Sequence, residues 1–96
     1  MLTRLVKMTF LSDKISVFQE IFEESHKKIT SFEGCVEVEL KRDVNFSNIF
    51  FTISKWKSEE DLNNYRKSEL FKSVWGKTKV LFEKKAEAWT LIDFLS

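Results

Sequence analysis

The side chains of this sequence best suited to chemistry lie in and around one stretch, residues 56–75, WKSEEDLNNYRKSELFKSVW. Its one phenol, Tyr65, lies between Trp56 and Trp75. A phenol can donate a hydrogen bond to a substrate carbonyl or enolate, and as phenolate it can accept a proton if nearby cations lower its pKa. Tyr65 is therefore a candidate catalytic residue. The alternative is a half-buried tyrosine whose hydroxyl reaches water.

The only histidine, His26, is the second candidate catalytic residue. It follows Phe22 by four residues and precedes Ile29 by three, which places it on the apolar face of a predicted helix. An imidazole with an ordinary pKa of about 6.5 suits a general base at cellular pH. A lone histidine on an apolar face can equally be a packed residue at the edge of the core.

Aromatic and basic residues are the candidates for substrate binding. Trp75 and Phe71 lie on a broad apolar helical stripe, and together with Phe22 they are expected to line a pocket for a flat substrate, with core or interface packing as the alternative. Lys7, near the middle of the first predicted strand, would attract an anionic substrate or stabilise an oxyanion if it faces that pocket. Otherwise it is a solvated lysine at the rim. Arg4, whose side chain would lie on the other face of the same strand, is a weaker candidate.

The other prominent side chains are assigned to structure. Trp56 and Trp89 each belong to a predicted strand that is apolar on both faces, so both are assigned to packing. Glu37 and Glu39, two residues apart on one strand face, are expected to pair with lysines, across a dimer if one forms.

Composition limits the classes of function. A chain of 96 residues is expected to form a single domain over residues 1–96. Sixteen basic and fifteen acidic residues are interspersed, so neither a nucleic-acid nor a membrane partner is indicated. Ten phenylalanines and three tryptophans exceed what so small a core needs, which favours a partner subunit, a ligand cavity, or both.

Cofactor motifs and targeting signals are not found in the sequence. One histidine and one cysteine have no zinc-ligand spacing, and there is no glycine-rich phosphate loop or nucleophile elbow, so neither a metal nor another cofactor is expected. Cys35 cannot form an internal disulfide, and the N-terminus lacks a signal-peptide pattern. We therefore expect a cytoplasmic protein.

The elements that must position these residues follow from periodicity and punctuation. The pattern predicts a strand over 2–10, then a helix that is capped by Ser12 and ends near Thr30, then strands around 36–40 and over 48–56. A helical region follows from the Ser58–Asp61 cap to about Lys84, with a bend near Ser68, and the last element is a strand over 86–94. This order matches the ferredoxin-like βαββαβ plan, an α+β fold with both helical regions on one face of an antiparallel sheet. Strands apolar on both faces favour a homodimer in which a second copy covers the other face.

Four segments, GCVEVELKRD, FFTISKW, LNNYRKSELFKSVW and KAEAWTL, resemble the antibiotic biosynthesis monooxygenase superfamily. The resemblance runs from Val6 to Thr90 and rests on a glycine after the first helix, a tryptophan ending the third strand, and a helix with an aromatic residue, then serine, then phenylalanine. It implies a dimeric α+β barrel with a largely apolar pocket between sheet and helices in each subunit. Many members carry histidine or another polar aromatic residue where Tyr65 stands.

The haem-degrading members of that superfamily provide a residue-by-residue comparison. They use an asparagine on the first strand, a tryptophan on the second helix and a histidine that binds iron, and a gap-free alignment puts Lys7, Tyr65 and Trp75 at these positions. An indole has no lone pair suited to iron, so Trp75 cannot replace the histidine. Haem degradation by that route is not expected.

The resemblance implies a monooxygenase that acts without metal or flavin on a small aromatic, phenolic or polyketide-like substrate. Its reaction would be loss of a proton from an activated phenol or anthrone-like carbon, followed by attack on O₂. The alternative is a non-catalytic module that binds an apolar aromatic metabolite in the same pocket, and an isomerase or mutarotase would need a more polar pocket. Several polar groups in the lining would favour chemistry, and a purely apolar lining would favour binding alone.

Overall fold

The computed structural model describes residues 1–95 as one antiparallel sheet with helices packed against it. The elements in chain order are β1 (Leu2–Phe10), α1 (Ile15–Thr30), β2 (Cys35–Arg42), β3 (Ile49–Trp56), α2 (Glu59–Lys67), α3 (Glu69–Lys79) and β4 (Phe82–Ile92). The strand order across the sheet is β2-β3-β1-β4. This arrangement confirms the predicted ferredoxin-like α+β fold, with the second helical region divided into α2 and α3.

The two central strands set which side chains face the helices. β1 and β3 pair with Leu2 opposite Trp56, Val6 opposite Thr52 and Met8 opposite Phe50. Because side chains alternate along a strand, the even-numbered residues of both strands share one face, and that face meets the helices. The prediction that the strand ending at Trp56 is central is confirmed.

The start of α1 differs from the prediction. Ser12 does not cap the helix, because it lies inside a single 3₁₀ turn, Ser12–Lys14, that precedes Ile15. The turn is closed by a hydrogen bond from the Lys14 amide to the Leu11 carbonyl, so a serine cap is not needed to redirect the chain. The end of α1 at Thr30 agrees with the prediction.

Gly34 allows the chain to pass close to the start of α2. Its φ is +85°, a left-handed conformation that disfavours residues with a Cβ atom. A Cβ at this position would meet the Asp61 side chain, and the Gly34 carbonyl accepts a hydrogen bond from the Lys57 amide at 2.9 Å. Gly34 therefore fixes how α2 approaches the sheet.

Two serines determine where the second helical region begins and bends. Ser58 Oγ accepts the Asp61 amide at 3.1 Å and caps α2, as predicted. Ser68 Oγ accepts the Phe71 amide at 3.1 Å and caps α3, while its extended backbone interrupts the helix. The predicted bend near Ser68 is thus a break between two capped helices.

The boundary between α3 and β4 corrects the prediction. The helix ends at Lys79 rather than near Lys84, and β4 begins at Phe82 rather than at residue 86. The reason is that Phe82 pairs with Phe10 of β1 and packs against its ring at 5.3 Å, which recruits residues 82–85 into the sheet. The hydrophobic periodicity of the sequence does not show that Phe82 packs against Phe10, so it could not predict where β4 begins.

The core occupies one end of the space between sheet and helices. Its buried members are Met8, Phe10, Phe18, Phe50 and Leu81. The Phe10 and Phe18 rings stack with centroids 4.2 Å apart, which fastens α1 to β1. Within residues 1–95 no helix has the length and apolar character needed to cross a membrane.

Candidate functional site

A cavity of about 250 Å³ lies between the sheet and the helices, adjoining the phenylalanine core. Side chains from β1, β2, β3, β4 and all three helices line it: Arg4, Val6, Met8, Phe18, Phe22, Ile29, Val38, Thr52, Ser54, Trp56, Leu62, Tyr65, Arg66, Phe71, Val74, Trp75, Thr78, Ala86 and Ala88. Pockets of this kind, largely apolar with a few polar groups, are the usual sites for small molecules.

The helical wall of the cavity is a connected series of aromatic rings. Tyr65 stacks on Trp56 with centroids 5.0 Å apart and meets Phe71 edge to face at 5.3 Å. Phe71 in turn stacks on Trp75 at 5.9 Å with nearly parallel planes. These four rings, one from the end of β3 and three from α2 and α3, present flat faces and edges suited to an aromatic ligand.

The sheet floor of the cavity has a polar row beside an apolar one. Arg4 lies opposite Ser54 on β3 and Thr90 on β4, and its Nη1 donates a hydrogen bond to Thr90 Oγ1 at 2.8 Å. In the next row, Val6 lies between Thr52 and Ala88. The floor therefore changes from charged to apolar over one step of the pleat.

Tyr65 supplies a neutral hydroxyl to the site. Burial, with a smaller contribution from the negative charge of the Cys35 thiolate, raises the pKa of Tyr65 to about 12. The phenol is therefore protonated at neutral pH, and it can donate a hydrogen bond but cannot serve as a phenolate base. Its hydroxyl makes no hydrogen bond to the residues that the structure describes, so it is available to a ligand.

The raised pKa of Tyr65 predicts a loss of stability in alkali. The unfolded phenol ionises at about pH 10, whereas the folded one ionises at about pH 12. Between these values the unfolded state has lost a proton that the folded state retains, so this contribution to stability, complete below about pH 10, falls as pH rises, by roughly 2 kcal/mol in all.

Tyr65 is the only tyrosine, so the ultraviolet absorbance of tyrosinate reports on it alone. The expected titration midpoint is about 12 in the folded protein and about 10 in urea. Tyr65→Phe should remove its share of the alkaline loss of stability. A folded-state midpoint near pH 10 would contradict the burial of this hydroxyl.

Four of the six predicted site residues line the cavity. They are Phe22, Tyr65, Phe71 and Trp75. His26 is not among the lining residues: its Nε2 donates a hydrogen bond to the Val38 carbonyl at 2.8 Å, and its ring lies 5.2 Å from that of Phe22. This bond ties α1 to β2.

Lys7 does not line the cavity either. It lies between Val6 and Met8, whose side chains face the helices, so its own side chain is on the opposite face of the sheet. There its Nζ is 3.8 Å from the Glu87 carboxylate. The cation of β1 that lines the cavity is Arg4, which sequence reasoning ranked below Lys7.

The three tryptophans divide differently from the prediction. Trp56 is 1% exposed, and its Nε1 donates a hydrogen bond to Ser54 Oγ at 3.0 Å, but its ring also forms part of the cavity wall. Trp75 lines the cavity as well, while Trp89 is 41% exposed on the opposite sheet face. The packing role assigned to Trp56 therefore coincides with a role in the site.

Sequence reasoning missed the second cation, Arg66, and undervalued Arg4. Arg4 shares its parity with Val6, Met8 and Phe10, the more apolar side of β1, and this was the available signal. Arg66 follows the buried Leu62 by one helical turn, which places it on the same face of α2. Burial, and then the positive charge of Arg66, lower the pKa of Arg4 from its ordinary value. The charge of Arg66 therefore acts on the guanidinium of Arg4.

The carboxylates predicted to form ion pairs do so within the subunit. Glu37 lies 3.3 Å from Lys55 on β3, and Glu39 lies 3.2 Å from Lys41. Within residues 1–95, no three side chains of His, Cys, Asp or Glu form a group that could hold a metal ion.

The fold and the site together define a ferredoxin-like α+β protein with an aromatic-walled cavity for a small molecule. Residues 1–75 match the family model for antibiotic biosynthesis monooxygenases, and the chain belongs to this family. The resemblance seen in the sequence is thereby confirmed. Comparison with curated proteins gives no match.

Solved structures share the fold over nearly the whole chain. A conserved protein from Methanosarcina mazei Go1 is 20% identical with a TM-score of 0.88, over 94% of this chain and 90% of that one. An antibiotic biosynthesis monooxygenase is 15% identical with a TM-score of 0.92, over 99% and 100%. A mutant of SnoaB, a cofactor-independent oxygenase from Streptomyces nogalater, is 15% identical with a TM-score of 0.86, over 99% and 94%.

Proposed function

We propose that this protein is a monooxygenase that needs neither metal nor flavin and acts on a small aromatic, phenolic or polyketide-like substrate. The observation that carries the proposal is the cavity of about 250 Å³, whose wall of aromatic rings includes one neutral phenol, Tyr65. Membership in the antibiotic biosynthesis monooxygenase family and the fold shared with SnoaB support the reaction type.

In the proposed reaction the substrate supplies all the electrons. An activated CH₂ flanked by aromatic rings loses a proton, and the carbanion reacts with O₂ to give a peroxide. Loss of water then leaves a carbonyl, so that CH₂ and O₂ become C=O and H₂O with no external reductant. Tyr65 would donate a hydrogen bond to the substrate oxygen on which the carbanion's charge is delocalised, and the aromatic wall would exclude water.

The proton has no conventional acceptor in the cavity wall. None of the described lining residues is an aspartate, glutamate or histidine. In this reading the substrate must itself be acidic, and its proton passes to water at the open side of the cavity. Dihydroxyanthrones meet this requirement because ionisation of the activated carbon gives a delocalised enolate.

The test is oxygen uptake with dithranol, a dihydroxyanthrone. The protein should accelerate its conversion to the anthraquinone above the rate in buffer, with one O₂ consumed per molecule and no effect of chelators. Haemin with a reductant, oxygen and catalase is the contrasting substrate, and it should not be degraded. The proposal would be rejected if dithranol, and every other anthrone and phenol of a test series, were oxidised no faster with the protein than in buffer.

A non-catalytic binding module is the second candidate, and the lack of a base in the cavity wall favours it. Such a module would hold an aromatic metabolite against the same rings. The polar side chains Arg4, Ser54, Tyr65 and Arg66 in the cavity lining argue for chemistry instead, because storage alone does not need four polar groups in one cavity. Native mass spectrometry that shows a retained aromatic molecule, in a protein that oxidises none of the anthrones, would favour the module.

We also propose that the protein is a homodimer formed through the sheet face opposite the helices. Leu5 on that face lies between Ile53 and Trp89, and Leu91 is in a neighbouring row. Trp89 and Leu91 are 41% and 45% exposed. A second copy would cover this apolar patch, and a stable interface should bury at least about 1,200 Å² in total.

Sedimentation should give the mass of two 11.4 kDa chains at micromolar concentration. Trp89→Asp should sediment as a monomer, because it introduces an unpaired charge into the apolar patch. Val80→Asp is the matched control: Val80 is 69% exposed but follows α3, away from the sheet face, so this variant should remain dimeric. A wild-type mass of one chain at every concentration would exclude the dimer.

A further inference from the structure

Two arginines at one end of the cavity have no acidic partner. Arg4 on β1 and Arg66 on α2 both line the cavity, and in the part of the chain that the structure describes neither forms an ion pair with a carboxylate. Lysines on the outer sheet face, by contrast, have such partners: Lys7 has Glu87 and Lys55 has Glu37. The cavity thus retains cationic charge that the fold neutralises elsewhere.

The Arg4 guanidinium is oriented but not saturated. One of its five N–H groups donates to Thr90 Oγ1 at 2.8 Å, which leaves the others for a ligand. In the empty cavity, burial and then the positive charge of Arg66 disfavour the charged form of Arg4 and lower its pKa. An anion bound beside Arg4 would offset both contributions.

The cavity is amphipathic along the direction of the central strands. The row that contains Arg4 and Ser54 is charged and polar, and the next two rows toward the phenylalanine core contain Val6 and then Met8. The row on the other side of Arg4 contains Trp56, which also lines the cavity. Trp75 lies near that core, because its ring meets Phe82 edge to face at 5.6 Å. A ligand that fits must therefore have an anionic end and an aromatic body.

We infer that the natural ligand is an aromatic carboxylate whose carboxylate group is bound by Arg4 and Arg66 while its rings lie against the aromatic wall toward Trp75. The planar fork of a guanidinium matches a planar carboxylate through two parallel hydrogen bonds. The inference rests on the proposed function, because it names the substrate class of the same cavity. It adds a charge requirement that oxygenation of a neutral phenol would not need.

The experiment compares naphthoate with naphthamide by isothermal titration calorimetry. The two probes share their rings and differ in a carboxylate against a neutral amide. Wild type should bind naphthoate about tenfold or more tightly than naphthamide, because hydrogen bonds to charged groups are the stronger ones. Arg4→Gln and Arg66→Gln should each weaken naphthoate binding about tenfold and leave naphthamide within about twofold.

Lys7→Gln is the matched control for long-range charge. It removes one positive charge from the same strand as Arg4, on the opposite face of the sheet. It should retain the preference for naphthoate. Equal affinity of wild type for the two probes, no binding of either, or the same loss in Lys7→Gln as in the arginine variants would each overturn the inference. Arg66 is exposed on α2, so Arg66→Gln decides the question if Arg4→Gln does not fold.

Neither probe has an activated carbon, so their binding is independent of oxygenation. Oxidation of dithranol together with equal binding of the two probes rejects the carboxylate inference alone. A preference for naphthoate with no oxidation of any anthrone, anthrone carboxylates included, supports the inference and rejects only the oxygenase.

Discussion

Replacing Trp56 by alanine should lower the free energy of unfolding by about 3 to 5 kcal/mol, a large share of what a domain of this size has. The indole is 1% exposed, stacks on Tyr65 with centroids 5.0 Å apart, and donates its N–H to Ser54 Oγ at 3.0 Å. Alanine would forfeit the burial and the stacking and would enlarge the existing cavity. Urea unfolding at a fixed protein concentration measures the change.

Phe94→Ala is the control for this measurement. Its ring is 95% exposed, so the same deletion of an aromatic side chain should change the free energy of unfolding by less than about 0.5 kcal/mol. If Trp56→Ala unfolded at the same urea concentration as Phe94→Ala, the ring would not be the packed junction of sheet and helices that its contacts indicate.

Local signals were sufficient to predict most of the fold. A run of strand-forming residues predicted β1, and apolar residues on both faces marked β3 as central. Ser58 and Ser68 marked where α2 begins and where the helical region breaks. The two errors, at Ser12 and at Phe82, arose where a nearby turn or a distant ring decided the boundary. A single-sequence pattern contains neither the 3₁₀ turn nor the pairing of Phe82 with Phe10.

The site was predictable on its helical side and not on its sheet side. Phe71 and Trp75 were found because an amphipathic helix shows its apolar stripe in sequence. Tyr65 was found as the one phenol of residues 56–75, at a position where many members of the superfamily carry a polar aromatic residue. On β1 the choice between Lys7 and Arg4 depended on which parity faces the helices, and both sides of that strand contain apolar residues. Only the register with β3 and β4 resolves it.

The histidine illustrates a second limit. Its helical position was predicted well, since His26 does lie next to Phe22 on α1. Whether an imidazole meets the cavity or a backbone carbonyl depends on the strand packed beside the helix, and here the Val38 carbonyl accepts a hydrogen bond from Nε2. Spacing along one helix cannot supply that information.

Replacing Tyr65 by phenylalanine should slow the proposed oxygenation of dithranol about 100-fold while changing the free energy of unfolding by less than about 1 kcal/mol. The ring contacts with Trp56 and Phe71 do not involve the hydroxyl, so phenylalanine retains them. The hydroxyl has no hydrogen bond to the residues that the structure describes, so its removal leaves no partner unsatisfied. Steady-state oxygen uptake and urea unfolding measure the two quantities.

Ser25→Ala is the matched control, because it also deletes one hydroxyl, which donates to the Ile21 carbonyl at 2.7 Å in α1 and does not line the cavity. Its rate should equal that of wild type. The pH dependence of the ratio of the wild-type rate to the Tyr65→Phe rate separates a hydrogen-bond donor from a base, because ionisation of the substrate affects both proteins equally. With a pKa of about 12, a phenolate base would make this ratio rise through the alkaline range, whereas a donor would not. A Tyr65→Phe protein as fast as wild type would remove Tyr65 from the reaction and leave the aromatic wall as its only role.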